Sequence, residues 1–139
     1  MPIPKPGPDQ VLIKVDSAAL NPSDILFMRG LYNIKLKYPF TPGWEGSGTV
    51  VAVGSGILAS YFKDKRVCFN KQFELGTYKF GGAFAEYCVT DVRSVIPLND
   101  DLSLEQGAAL FVNPLTALAM VDRLVELRVK SVIITAAAA

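Results

Sequence analysis

Histidine is absent from all 139 residues. Its absence removes the commonest general base and metal ligand, and with them any Ser–His or Cys–His nucleophile pair. Cysteine is scarce as well: Cys68 and Cys88 are the two present, too far apart for a CxxC site. Without His or further Cys a tetrahedral zinc centre cannot be assembled, so no metal site is expected. Each cysteine sits in an apolar run, Val67-Cys68-Phe69 and Tyr87-Cys88-Val89, which reads as a pair of buried, reduced thiols. Charge of one sign is missing too. Lys and Arg number 14 against 13 Asp and Glu, and a net charge of +1 supplies no field for capturing nucleic acid or an anionic membrane. Apolar runs such as residues 107–112 fall far below the roughly 18 to 20 residues that span a bilayer, so no membrane span is expected. The N-terminus lacks both the apolar core of a signal peptide and the Arg-rich amphipathic character of a transit peptide. A cytoplasmic address is expected, with a mitochondrial one left open.

What the chain has in excess is apolar residues, at 50% hydrophobic against 19% charged. The length is that of one ordinary domain, large enough to hold a core without disulfide or metal. A domain this apolar leaves patches uncovered, which signals a partner surface or a missing remainder.

Pro2, Pro4, Pro6 and Pro8 make an extended lead-in with few backbone donors, unsuited to a central strand. Over residues 10–16, Val11, Ile13 and Val15 alternate with Leu12, Lys14 and Asp16, the period of a half-buried strand. Further strands are predicted over 48–53, 66–70, 83–89 and 94–98, between Gly, Pro, Asn and Asp clusters. Short strands with irregular loops indicate a small β-barrel or sandwich.

The pattern changes near Asp100. Ser103 with Gln106 matches a capping box that opens a short helix through about Leu110. Asn113-Pro114 gives a second start, with Asn as N-cap and Pro in the first turn, for a helix reaching about Leu127. Its Leu115, Leu118, Val121, Leu124 and Val125 form a wide apolar stripe. Residues 131–135, with Val132-Ile133-Ile134, read as an apolar strand of the parallel-sheet type. Such a strand needs a sheet that these residues do not supply, so a continuing chain or a partner is expected to cover Leu115 to Ala139.

Several side chains could carry chemistry. Asn21 and Asp24 are placed in a loop after a strand, with Pro22 fixing the turn; they could hold a ribose or carbonyl, or close a local Asx turn. Thr116 lies one turn inside the later helix, where its hydroxyl could meet a ligand or bond back to the helix. Pro42-Gly43 reads as a type II turn leading to Trp44-Glu45-Gly46. Gly46, Gly48, Gly54 and Gly56 flank a strand and do not lead from strand into helix, so they are no phosphate loop.

Residues 18–54, AALNPSDILFMRGLYNIKLKYPFTPGWEGSGTVVAVG, resemble the medium-chain dehydrogenase/reductase superfamily. Pro4-Lys-Pro-Gly-Pro-Asp-Gln-Val-Leu-Ile-Lys-Val, Gly81-Gly-Ala-Phe-Ala-Glu-Tyr and Val112-Asn-Pro-Leu-Thr-Ala extend the likeness in order through nearly the whole chain. The branch resembled is the zinc-independent one of quinone oxidoreductases and 2-enoyl thioester reductases. Asn21 and Trp44 stand where zinc-dependent relatives carry Cys and His, and their cysteine-rich lobe has no counterpart here.

The resemblance implies a mostly β fold: a GroES-like (chaperonin-10-like) barrel over 1–112 lacking its leading hairpin. Linking helices and the first strand of a truncated Rossmann cofactor domain follow over 113–139. It implies an NADPH-dependent oxidoreductase that passes hydride to a quinone or α,β-unsaturated carbonyl, and a homodimer when full length. Two alternatives stand beside it: a 2-enoyl-CoA or acyl-carrier thioester reductase, and a non-catalytic barrel serving as a structural or interaction module. No GxGxxG motif occurs, so the pyrophosphate-binding part is missing and this piece alone is expected to be inactive.

Residue by residue, the resemblance implies cofactor contacts for Asn21, Asp24 and Thr116. Trp44 is implied at the substrate, filling space that metal occupies in relatives, and Glu45, which zinc-dependent relatives also carry, is implied in a hydrogen-bonding role rather than that of a general base. Tyr32, in Gly30-Leu31-Tyr32, is implied as the proton or hydrogen-bond donor, with substrate contact alone or simple packing as its other roles.

Overall fold

In the computed structural model of the chain, residues 2–31, 39–71 and 82–135 are described. Five antiparallel strands among them form one sheet, β1 (Gln10–Ala18), β2 (Glu45–Val53), β3 (Arg66–Asn70), β4 (Tyr87–Asp91) and β5 (Val95–Pro97), in the order β4-β1-β2-β3-β5. The sheet curls into a half-barrel. Register slips between β1 and β2, once at Leu12/Ile13 and again at Val15/Ser17, supply the bulges that turn it.

Val11 and Ile13 of β1 are fully buried with Val50, Val67, Phe69, Cys88 and Val92 inside the curl. The period-two pattern therefore marks the core face, although Leu12 on the other face is buried too. The proline-rich lead-in is fastened at the far end of β2, where Asp9 N–H donates to Ser55 O at 2.8 Å and Gly54 N–H to Gln10 O at 2.8 Å. This crossing tolerates no side chain at Gly54, because a Cβ there would stand 1.7 Å from Gly7 O.

Four helices among the described residues accompany the sheet: α1 (Pro22–Met28), α2 (Ile57–Tyr61), α3 (Leu104–Ala108) and α4 (Val112–Glu126). Ser103 caps α3 as its sequence predicts, accepting from Gln106 N–H at 3.2 Å while Gln106 Oε1 accepts from Ser103 N–H at 2.9 Å. Helix α3 packs across β1, β2 and β3, and the Ser47 hydroxyl on β2 donates to its Leu104 carbonyl.

Four expectations need correction. Residues 83–86 are bends rather than strand, because Ala83 and Phe84 N–H groups donate to Gly43 O and Pro42 O instead of to a ladder. The strand predicted over 94–98 shrinks to β5, with Ser94 drawn into a 3-10 turn capped by the Asp91 side chain. Asn113 is not the cap of α4; the helix starts at Val112, with Phe111 before it. Residues 131–135 form no strand, and Ile133 is 92% exposed. The apolar stripe of α4 is likewise uncovered, with Leu118, Val121 and Val125 all exposed and no buried residue in the helix.

Candidate functional site

The site is built from three pieces of backbone that are distant in sequence: the start of α1, the start of β2 and the start of α4. Asn21 stands at the head of α1 with extended backbone (φ −100°, ψ 152°), and Pro22 follows in the first turn, where its missing N–H costs no hydrogen bond. The expected loop at Asn21-Pro22-Ser23-Asp24 is therefore a helix start. Asp24 closes it by accepting from Asn21 N–H at 2.8 Å.

The other carboxylate oxygen of Asp24 accepts from Trp44 N–H at 3.1 Å, tying α1 to the turn before β2. That turn is shaped by Gly43, whose φ of +105° suits the third position of a type II turn. A Cβ on Gly43 would come within 2.7 Å of Phe84 N. Asp24 is 0% exposed, and burial pushes its carboxyl above the ordinary range, against the hydrogen bonds from Asn21 and Trp44; the nearby Glu45 adds to the rise.

Glu45 is the first residue of β2 and is also 0% exposed. Its Oε1 accepts from Asn21 Nδ2 at 3.0 Å. Its Oε2 accepts from Phe111 N–H at 3.1 Å and Val112 N–H at 2.7 Å. A carboxylate at a helix N-terminus satisfies donors that have no partner within the helix and meets the positive end of its dipole. The chain closes when Asn113 Nδ2 donates to Asn21 Oδ1 at 3.0 Å. Glu45, Asn21 and Asn113 thus join the barrel, α1 and α4 in one buried-to-exposed line. Sequence reasoning gave Glu45 its hydrogen-bonding role; the partners, 66 and 67 residues away, carry no local signal.

The residues singled out beforehand fall into three groups. Asn21 and Asp24 are brought together with Trp44, but Asn21 is only 5% exposed, and both support the framework. Trp44 packs its ring at 5.0 Å from that of Phe27, which is also edge-on to Phe40 at 5.5 Å. Thr116 is exposed on the first turns of α4, and its hydroxyl donates to Val112 O at 2.6 Å. With its proton so engaged, the Thr116 oxygen meets any ligand as an acceptor. Tyr32 lies outside the described residues. Among the described residues, no three or more Cys, Asp or Glu side chains gather in a group that could hold a metal ion. No helix among them is long and apolar enough to cross a membrane.

A curled antiparallel half-barrel whose β2 start is tied to two helix N-termini defines a GroES-like domain. Residues 7–100 match the alcohol dehydrogenase GroES-like domain family, and the chain belongs to it. Its relatives include quinone oxidoreductases and a trans-enoyl reductase of the medium-chain dehydrogenase/reductase superfamily. The trans-enoyl reductase tndF of Aspergillus flavipes is 40% identical over 120 residues, 84% of this chain and 34% of that protein. The quinone oxidoreductase of Rattus norvegicus is 33% identical over 115 residues, 83% of this chain and 32% of that protein. Among solved structures, a candidate NADPH:quinone reductase of Mesorhizobium loti superposes with a TM-score of 0.79 at 43% identity, over 89% of this chain and 35% of that one. A mycobacterial protein solved with NADPH gives a TM-score of 0.71 at 31% identity, over 87% of this chain and 35% of that one. The chain spans about a third of the length of these relatives.

Proposed function

We propose that the whole protein is a zinc-independent, NADPH-dependent reductase of quinones or α,β-unsaturated carbonyls. In this reading residues 1–112 are its substrate-side barrel and 113–139 open its cofactor domain. The observation that carries the reading is the fixed place of Thr116, held on α4 by the hydrogen bonds that Glu45 makes to Phe111 and Val112. Its acceptor-only oxygen, beside the exposed Asn113, fits a ligand that offers N–H donors, as the carboxamide of a nicotinamide does. Asn21 and Asp24 stand behind this pair and keep it in place.

The chemistry a bound NADPH supplies is hydride transfer. The residues of this chain orient the acceptor, exclude water and give a donor to the oxygen on which charge develops. Tyr32 is assigned that donor role, a phenol hydroxyl being able to donate a hydrogen bond, and Trp44 is assigned to the wall of the substrate space. No His or metal is needed for this division of labour.

A second reading, 2-enoyl thioester reduction, is favoured by the 40% identity to a trans-enoyl reductase. Following NADPH oxidation by the full-length protein, with a quinone and an enoyl thioester compared, tests both. Turnover of the quinone supports the first and turnover of the thioester the second. Turnover of neither would leave a non-catalytic barrel module, with the exposed face of α4 as its interaction surface. A cytoplasmic homodimer completes the proposal.

A further inference from the structure

The hydrogen-bonded line Glu45–Asn21–Asn113 has a direction that follows from chemistry. A carboxylate offers only acceptors, whereas a carboxamide offers an acceptor at one end and two donors at the other. Glu45 accepts from Phe111 N–H, Val112 N–H and Asn21 Nδ2, so it compels Asn21 to turn its NH₂ toward β2. Asn21 must then present Oδ1 to Asn113, which answers with its own Nδ2 at 3.0 Å. The Asn113 Oδ1 is thereby directed away from Asn21, on the exposed turn that also carries Thr116.

We propose that Glu45 is the positioning residue of the site, and that its buried carboxylate sets the carboxamide polarity of Asn21 and, through it, of Asn113. Acting through other residues, it fixes both where α4 begins and which atom Asn113 offers outward. Two acceptors, Asn113 Oδ1 and Thr116 Oγ1, then face a ligand from one turn of helix, selecting a donor-rich group. Only this consequence for a cofactor rests on the reductase reading. The relay itself is a property of the chain and can be tested without cofactor.

The effect of Glu45→Gln distinguishes relay from filler. The carboxamide oxygen this change leaves at position 45 can keep the Phe111 and Val112 N–H groups, and the new NH₂ then faces that of Asn21. Relief requires Asn21 to make a half-turn of its amide, and Asn113 must follow. Adding Asn21→Asp moves the acceptor-only group to position 21. It takes a bond from the NH₂ at position 45 on one oxygen and from Asn113 Nδ2 on the other, restoring the original direction.

The measurement is the Asn113 side-chain NH₂ resonance of the full 139-residue chain in ¹⁵N-labelled protein. A hydrogen-bonded, downfield proton is expected in the wild type, its loss in Glu45→Gln, and its return in Glu45→Gln/Asn21→Asp. An unchanged Asn113 signal in Glu45→Gln, or no recovery in the double variant, overturns the proposal. If Glu45→Gln does not fold, the wild type still decides. A scalar coupling across the hydrogen bond from Asn21 ¹⁵Nδ2 to Glu45 ¹³Cδ is expected, and a coupling from Asn21 ¹⁵Nδ2 to Asn113 ¹³Cγ in its place refutes the polarity. Failure of the NADPH assay with an intact relay would count against the reductase reading alone.

Discussion

Glu45 at the start of β2 accepts a 2.7 Å hydrogen bond from the N–H of Val112 at the start of α4, across 67 residues of sequence. One side chain thereby joins the half-barrel to the helix that follows it. Replacing Glu45 by Ala would leave Phe111 N–H, Val112 N–H and Asn21 Nδ2 without their acceptor. A buried donor left unsatisfied costs about 1–3 kcal/mol, and water reaching the α4 start offsets part of that. We expect Glu45→Ala to lose about 3 kcal/mol, lowering the melting temperature by on the order of 10 °C in calorimetry. A loss below about 1 kcal/mol would show that the carboxylate is dispensable to the junction.

Gly54 makes a different kind of junction, between the proline-rich lead-in and the end of β2. A methyl group there would overlap Gly7 O, 1.7 Å from the ideal Cβ position, and both partners are backbone. Overpacking of this kind costs about 1–3 kcal/mol when the neighbours can shift. The lead-in can shift only by releasing the Asp9–Ser55 and Gly54–Gln10 hydrogen bonds. Gly54→Ala is therefore expected to lower the urea midpoint and to open residues 2–9 to proteolysis. Wild-type resistance to proteolysis in that segment would refute the account.

The thiols give the pH dependence. Burial pushes Cys88 from 9.0 up to about 11, only partly offset by the Lys71 charge, and burial raises Cys68 as well. A folded pKa above the unfolded one means that the folded state holds its proton more tightly. The corresponding stability is fully present below pH 9 and is lost as pH rises through about 11. A rise of that size corresponds to ~3 kcal/mol, an upper value for Cys88. Neither cysteine is disulfide-bonded, so iodoacetamide at about pH 8 should label the native chain slowly and the unfolded chain quickly. A Cys88→Ala variant should lose less stability than the wild type between pH 9 and about 11. Matching alkaline curves would exclude Cys88 as the cause.

Strand β3 was legible at its full extent, since Arg66–Asn70 is bounded by turn residues and buried at its centre. The cap of α3 was legible because Ser103 and Gln106 satisfy each other locally. The two Asn-Pro pairs show where such reading stops. Asn21-Pro22 opens a helix where the pattern suggests a loop, although Asp24 three residues on carries the signal. Asn113-Pro114 has the form of a cap, yet α4 begins earlier because the Glu45 carboxylate caps it from another element. Local motifs report local acceptors, and this acceptor arrives only when β2 is in place. The strand expected over 131–135 fails for the same reason in reverse. Its Val132-Ile133-Ile134 pattern is that of a strand, but backbone donors and acceptors need a neighbour, and none pairs with it among the described residues.

The exposed stripe of α4 leads to a prediction in which stability should not change. Leu118, Val121 and Val125 are 56%, 54% and 72% exposed, so little apolar burial is lost when they are replaced. A double change, Leu118→Lys with Val125→Lys, should leave the melting temperature within about 2 °C, because exposed substitutions usually shift stability by no more than ~0.5 kcal/mol. The same change should lower self-association at high concentration, read by sedimentation, since it breaks a continuous apolar face. A fall of about 10 °C or more would mean that the stripe is already covered within the chain.

Thr116 separates the fold from the proposed function most cleanly. Its hydroxyl donates to Val112 O at 2.6 Å on an exposed turn, so Thr116→Val removes one surface hydrogen bond and the exposed hydroxyl oxygen together. The structural loss should be about 1 kcal/mol or less, and Thr116→Ser should be nearly silent in both respects. If that oxygen accepts from a cofactor N–H, the full-length protein carrying Thr116→Val should need roughly tenfold more NADPH for half-saturation, the equivalent of about 1.4 kcal/mol. Its melting temperature without cofactor should stay close to that of the wild type. An unchanged KM for NADPH would remove Thr116 from the cofactor site, whereas a raised KM recovered by Thr116→Ser would place the hydroxyl, and not merely the volume of the side chain, in contact with it.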